Sequence, residues 1–217
     1  RIPSAAPLCG PVRPFGASGR GIGRSFAKLQ DRLAVLGHAR DDCSLIDLFL
    51  NLDRPDWVVH CAVDGGGIGY MRAHPGRIVH NNLCMNTHVL HGAFEVGAKG
   101  FLGVSSVCAY PRDAQMPLRE DALFSGYPEP SNAGYGLSKR MMMEMGRAYS
   151  QEYGFQSLFP MPVNLYGPRD DFSLERSHVV PALIRRFLQA EEDGLEEVVV
   201  WGSGKATREM ATSLAII

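Results

Sequence analysis

The sequence predicts an α/β domain, a parallel sheet flanked by helices. Two observations carry this expectation. Short apolar runs alternate with longer helical patterns along most of the chain, and a glycine-rich segment near the start leads into a helix-like run. The 217 residues suffice for one domain with a buried core, and 45% apolar against 21% charged side chains excludes a disordered chain.

The elements follow in order. Leu33 to Leu36, Trp57 to Cys61, Phe101 to Val104, Ser157 to Leu165 and Val198 to Trp201 read as buried strands. From Pro75 to Val96, Ile78, Val79, Leu83, Val89, Leu90, Ala93 and Phe94 recur at helical spacing and Gly97 supplies a stop. From Ala133 to Tyr153 an apolar stripe of Leu137, Met141, Met145, Ala148 and Tyr149 ends at Gly154. A third helix, His178 to Ala190, is expected to carry Val179, Leu183, Ile184 and Phe187 on its inner face. Right-handed crossovers wind such a series into a Rossmann-type doubly wound sheet.

Both ends depart from that pattern. Pro11-Val12-Arg13-Pro14-Phe15 holds two prolines where a first strand belongs, so the opening strand is expected to be absent or malformed. Met210 to Ile217 stops before another supersecondary unit. The expectation is one Rossmann domain over 1–217, with a substrate-binding region beginning at about residue 170, in a fragment whose C-terminal substrate domain is largely missing.

Charge and cysteine content exclude several functions. Twenty-two Lys plus Arg against 23 Asp plus Glu leave no global attraction to nucleic acid or an anionic membrane. No apolar run reaches the roughly 18 to 20 residues of a membrane span, and Arg1-Ile2-Pro3-Ser4 lacks a secretory layout, so a cytoplasmic protein is expected. The five cysteines are odd in number and form no C-x-x-C pair, which argues against a disulfide framework and a metal site. Cys61 and Cys84 read as core filler, and the Met141-Met142-Met143 and Met145 cluster as helix packing.

Two segments suggest chemistry. Gly16, Gly19, Gly21 and Gly23 precede a helix-like run, where backbone amides can approach a pyrophosphate; a flexible turn is the plain alternative. Beyond the next strand, Arg40 suits the 2′-phosphate of NADP, whereas the adjacent Asp41 suits the free ribose of NAD. Tyr135 and Lys139, four apart, share one helix face, so the ammonium can favour ionisation of the phenol. Ser105-Ser106 follows an apolar strand, at the C-terminal end where parallel sheets bind ligands.

These residues resemble the extended short-chain dehydrogenase/reductases, and within them the GDP-L-fucose-forming branch. The resemblance is densest from Arg54 to Glu209. It rests on Ser105 to Pro111 (SSVCAYP), Tyr135 to Lys139 (YGLSK), Asn164 to Pro168 (NLYGP), Ser177 to Phe187 (SHVVPALIRRF) and Val200 to Gly204 (VWGSG) with Arg208-Glu209. The resemblance implies an NADP(H)-dependent 3,5-epimerase/4-reductase acting on a GDP-4-keto-6-deoxy sugar. Ser106 and Tyr135 would polarise and protonate the C4 carbonyl, and Lys139 would tune Tyr135 and hold nicotinamide ribose. Cys108 and His178 would exchange the C3 and C5 protons, which the C4 ketone acidifies. Asn164 would lie near the nicotinamide, Gly65 to Gly69 would border cofactor and substrate, and Arg186, Trp201 and Arg208 would hold the sugar nucleotide. A homodimer through the two long helices is also implied. Competing readings are another nucleotide-sugar 4-epimerase or dehydratase, and a catalytically silent nucleotide-binding or dimerisation module.

Overall fold

The computed structural model describes residues 54–173, 176–200, 207 and 209–212, with the backbone alone at 33–36. Four strands form one parallel sheet in the order β1 (Leu33–Leu36), β2 (Trp57–His60), β3 (Gly100–Gly103), β4 (Gln156–Leu158). Leu33 lies opposite Trp57, Trp57 opposite Gly100, and Gly100 opposite Gln156. The fold is Rossmann-like. Gly100 has a packing reason: the Trp57 indole occupies the space a Cβ would need.

Between these strands run α1 (Ile68–Ala73), α2 (Pro75–Glu95) and α3 (Ala133–Tyr153). Pro75 opens α2, where its missing N–H costs nothing. Gly97 (φ 75°) and Gly154 (φ 69°) follow α2 and α3 in the left-handed conformation that ends helices. The long helices pack on one another and on the sheet around Val58, Val89, Leu90, Ala93, Phe101 and Met142. Buried polar groups stitch the same layer. Asn86 on α2 donates from Nδ2 to the Ser138 carbonyl on α3 (3.1 Å), so its Oδ1 accepts from Nε2–H of His60 on β2 (2.9 Å). Burial holds the His60 imidazole down to about 4, against the Asn86 hydrogen bond and with help from the Lys139 charge.

Several expectations are corrected. The run Ser157 to Leu165 is two elements: β4 stays in the main sheet, and β5 (Asn164–Tyr166) pairs in parallel with β6 (Met210–Thr212). Pro160 and Pro162 cause the break, since neither can donate to a ladder. Residues 198–200 are not a strand, and Trp201 lies outside the described residues. On α3 the buried line is Gly136, Lys139, Arg140, Met142 and Gly146, while Met141 and Ala148 face outward.

The third helix, α4 (Val179–Glu192), buries only Pro181 and Ala190. Val179, Ile184 and Phe187, expected inside, are 52%, 45% and 53% exposed. Periodicity locates an apolar stripe but not what covers it. Cys61 is exposed and Cys84 half-buried, so neither is core filler. Among the described residues no helix is long and apolar enough to cross a membrane, and no cluster of His, Cys, Asp or Glu could hold a metal. The prolines at 11 and 14 and the glycine loop lie outside the described residues.

Candidate active site

Strand β3 ends at Gly103, and the chain then turns through Ser105 and Ser106 into a single 3₁₀ turn, Val107–Ala109. Ser106 caps that turn: its Oγ accepts from the Cys108 backbone N–H at 3.2 Å. The serine hydroxyl and the cysteine thiol are thereby fixed in one short loop at the C-terminal end of the sheet.

Helix α3 brings the tyrosine to this loop. Gly136, immediately after Tyr135, lies against the Cys108 carbonyl, and a Cβ on it would come within 2.5 Å of that oxygen. The missing side chain lets the helix seat directly on the turn. Tyr135 and Ser106 are hydrogen-bonded, and Cys108 is close enough to act on the phenol electrostatically. The Tyr135 ring keeps some solvent contact, yet its oxygen is enclosed. Burial pushes the phenol up to about 12, Cys108 adds to the rise, and the Ser106 hydrogen bond opposes it.

One turn along, Lys139 is 2% exposed. Its Nζ donates to the Val104 carbonyl at 2.8 Å and lies 5.7 Å from the Tyr135 ring centroid. Burial pulls the ammonium down to about 8, and the Cys61 thiol at the end of β2 pulls it partly back. The expected lowering of the phenol by this lysine is not met, because enclosure of the oxygen outweighs a cation engaged elsewhere. A phenol at about 12 stays protonated near neutrality, the state a proton donor needs.

Buried Arg140 holds the loop from the other side: Nε donates to the Ala109 carbonyl and Nη1 to the Gly126 carbonyl (2.7 Å). The remaining expected positions are spread more widely. Asn164 is exposed on β5, and exposed His178 occupies the N-cap of α4. The half-buried Arg186 side chain donates to the Val199 carbonyl at 3.2 Å. The structure thus groups Ser106, Cys108, Tyr135 and Lys139. Gly16, Gly19, Gly21, Gly23, Arg40, Trp201 and Arg208 lie outside the described residues.

Sequence reasoning missed Gly136, Arg140 and Cys61 here. Gly136 has a legible signal, a glycine inside a helical pattern beside the tyrosine. Cys61 has one too, as the residue that ends a parallel strand. Arg140 has none, since an arginine after a lysine reads as a solvated face.

A hydroxyl, a phenol and a lysine are gathered where a strand of the Rossmann-like sheet ends and a long helix seats on the following turn. The chain belongs to the NAD dependent epimerase/dehydratase family, whose model matches residues 19–212. It is similar to GDP-L-fucose synthase 1 of Arabidopsis thaliana, with 38% identity over 204 residues, 90% of this chain and 63% of that protein. The GDP-L-fucose synthase of Escherichia coli K12 is 35% identical over 199 residues, 89% of this chain and 62% of its own length. Among solved structures, a GDP-L-fucose synthetase from Naegleria fowleri bound to NADP superposes with a TM-score of 0.68 at 32% identity, covering 78% of this chain and 55% of that one. The chain spans somewhat under two thirds of the length of the curated relatives it matches.

Proposed function

We propose that this chain carries the redox and proton-transfer centre of an NADPH-dependent 3,5-epimerase/4-reductase that converts GDP-4-keto-6-deoxy-D-mannose to GDP-L-fucose. The convergence of Ser106, Cys108 and Tyr135 at the end of β3 is the observation that carries the reading. The similarity to proteins named as GDP-L-fucose synthases supports the choice of product.

The nearby residues suit a nicotinamide dinucleotide. Lys139 offers a nearly fully buried cation for ribose hydroxyls. Bound there, NADPH supplies the hydride for C4. Ser106 Oγ donates to the C4 carbonyl oxygen and holds it against the phenol. Tyr135 gives its proton to that oxygen as C4 is reduced, and burial keeps that proton in place beforehand. Before reduction the ketone acidifies C3–H and C5–H; Cys108 and His178 remove and return those protons, inverting both centres. Asn164 orients the nicotinamide side, and Arg186, Trp201 and Arg208 bind the sugar nucleotide. The protein acts in the cytoplasm, as a homodimer through α2 and α3.

A test separates the two half-reactions in D₂O. Tyr135→Phe is expected to lower NADPH oxidation about 10²- to 10⁴-fold while C3 and C5 still exchange with solvent. Cys108→Ser is expected to remain folded and to block that exchange. Exchange in Cys108→Ser as fast as in the parent removes the thiol from the mechanism. Turnover without net NADPH oxidation favours a 4-epimerase or dehydratase, and binding of NADPH and GDP without turnover favours a silent binding module.

A further inference from the structure

Asp64 stands where β2 gives way to the Gly65–Gly67 loop, and every polar atom of its carboxylate and backbone is engaged. Oδ1 accepts from the Tyr70 hydroxyl (2.8 Å), and Oδ2 from Asn81 Nδ2 (2.7 Å) and Arg77 Nε (3.3 Å). Its backbone N–H donates to Asn82 Oδ1 (3.1 Å), and its carbonyl accepts from Asn82 Nδ2 (2.7 Å). One side of the loop is therefore anchored to α1 and α2.

The other side is anchored to the residues just before His178. Gly67 N–H donates to the Arg176 carbonyl at 2.8 Å, and Arg176 Nη2 donates to the Gly65 carbonyl at 3.2 Å. The Arg176 guanidinium carbon lies 5.0 Å from the Tyr70 ring centroid, over the ring whose hydroxyl Asp64 orients. Ser177 carbonyl oxygen fills the position a Gly67 Cβ would need. Tyr70, Met71 and Ile78 in turn form the cluster against which Tyr135 packs.

We propose that Asp64, Tyr70 and Arg176 are positioning residues that dock the His178-bearing segment on the glycine loop, and so set His178 relative to Tyr135 and Cys108. The proposal rests on the assignment of His178 to proton transfer. The exposed His178 side chain makes no capping hydrogen bond of its own, and the backbone two residues before it is docked on Gly67.

Arg176→Ala tests this on the whole chain, with two readouts. Amide hydrogen exchange at Gly67 is expected to accelerate about five- to ten-fold, the loss of one cation–π contact and one hydrogen bond, and the His178 ring resonances to shift while those of Tyr135 hold. In D₂O, proton exchange at the carbon served by His178 is expected to slow by a similar factor, and C4 reduction to slow by clearly less. Arg176→Lys, which keeps a cation near Tyr70, should recover part of the loss. His178→Ala combined with Arg176→Ala should be no slower than His178→Ala alone. Unchanged Gly67 exchange, additive losses, or equal losses in exchange and reduction overturn the proposal. A shift of Gly67 and His178 in a chain whose parent exchanges no sugar proton leaves the docking standing and overturns the functional reading instead.

Discussion

Tyr135 and Lys139 stand on a helix locked into a core of Val58, Val89, Leu90, Phe101 and Met142, whereas His178 precedes a helix that buries only Pro181 and Ala190. The first region holds its side chains by dry packing and buried hydrogen bonds, such as the His60, Asn86 and Ser138 stitch beside the lysine. The second is held by backbone contacts and a few exposed hydrogen bonds, such as Arg185 Nη1 to the Phe172 carbonyl at 2.8 Å. The phenol of Tyr135 and the ammonium of Lys139, whose proton affinities burial shifts, sit where solvent is excluded. On the open side His178 is exposed and Arg186 half-buried.

The largest expected effect tests the packed side. Phe101 is fully buried, and Phe101→Ala should cost about 3 to 5 kcal/mol in urea unfolding. A cost below about 1 kcal/mol would erase the contrast between the regions. The next is pH-dependent. Lys139 is held at about 8 in the fold against an ordinary 10.5, so between those values the unfolded chain binds more protons. Burying the ammonium therefore penalises the fold below about pH 8, and the penalty fades as pH rises toward 10.5. Relative to Lys139→Met, the parent should gain roughly 3 kcal/mol of stability across that window, read as the difference between the two unfolding curves. A constant difference would mean the lysine is not desolvated. The smallest effect tests the open side: Phe187→Ala, at a site 53% exposed, should change stability by less than about 0.5 kcal/mol. A cost near that of Phe101→Ala would show the α4 face to be covered.

The contrast also explains what could be read in advance. The bounds of α2 and α3 were legible because proline and glycine mark their ends, and Tyr135 with Lys139 because four-residue spacing fixes one helix face. Ser106 was legible because a parallel strand delivers its final residues to the ligand-binding edge, and Cys108 only through the family resemblance. Periodicity misplaced Val179, Ile184 and Phe187, since a stripe presupposes a partner surface. It also passed over Asp64, Asn82 and Asn86, polar residues that are buried because each meets a partner distant in sequence. Pro160 and Pro162 split one apolar run between two sheets, a decision made by ladder donors rather than by hydrophobicity.

Gly136 against the Cys108 carbonyl has a further consequence. The spacing between helix α3 and the Ser106–Cys108 turn is gauged at this point by two backbones in contact. Such a gauge has a hard lower limit and no rotamers, so thermal motion blurs it little. Lineages that retune the chemistry can exchange the reacting groups on either backbone while inheriting the distance between them.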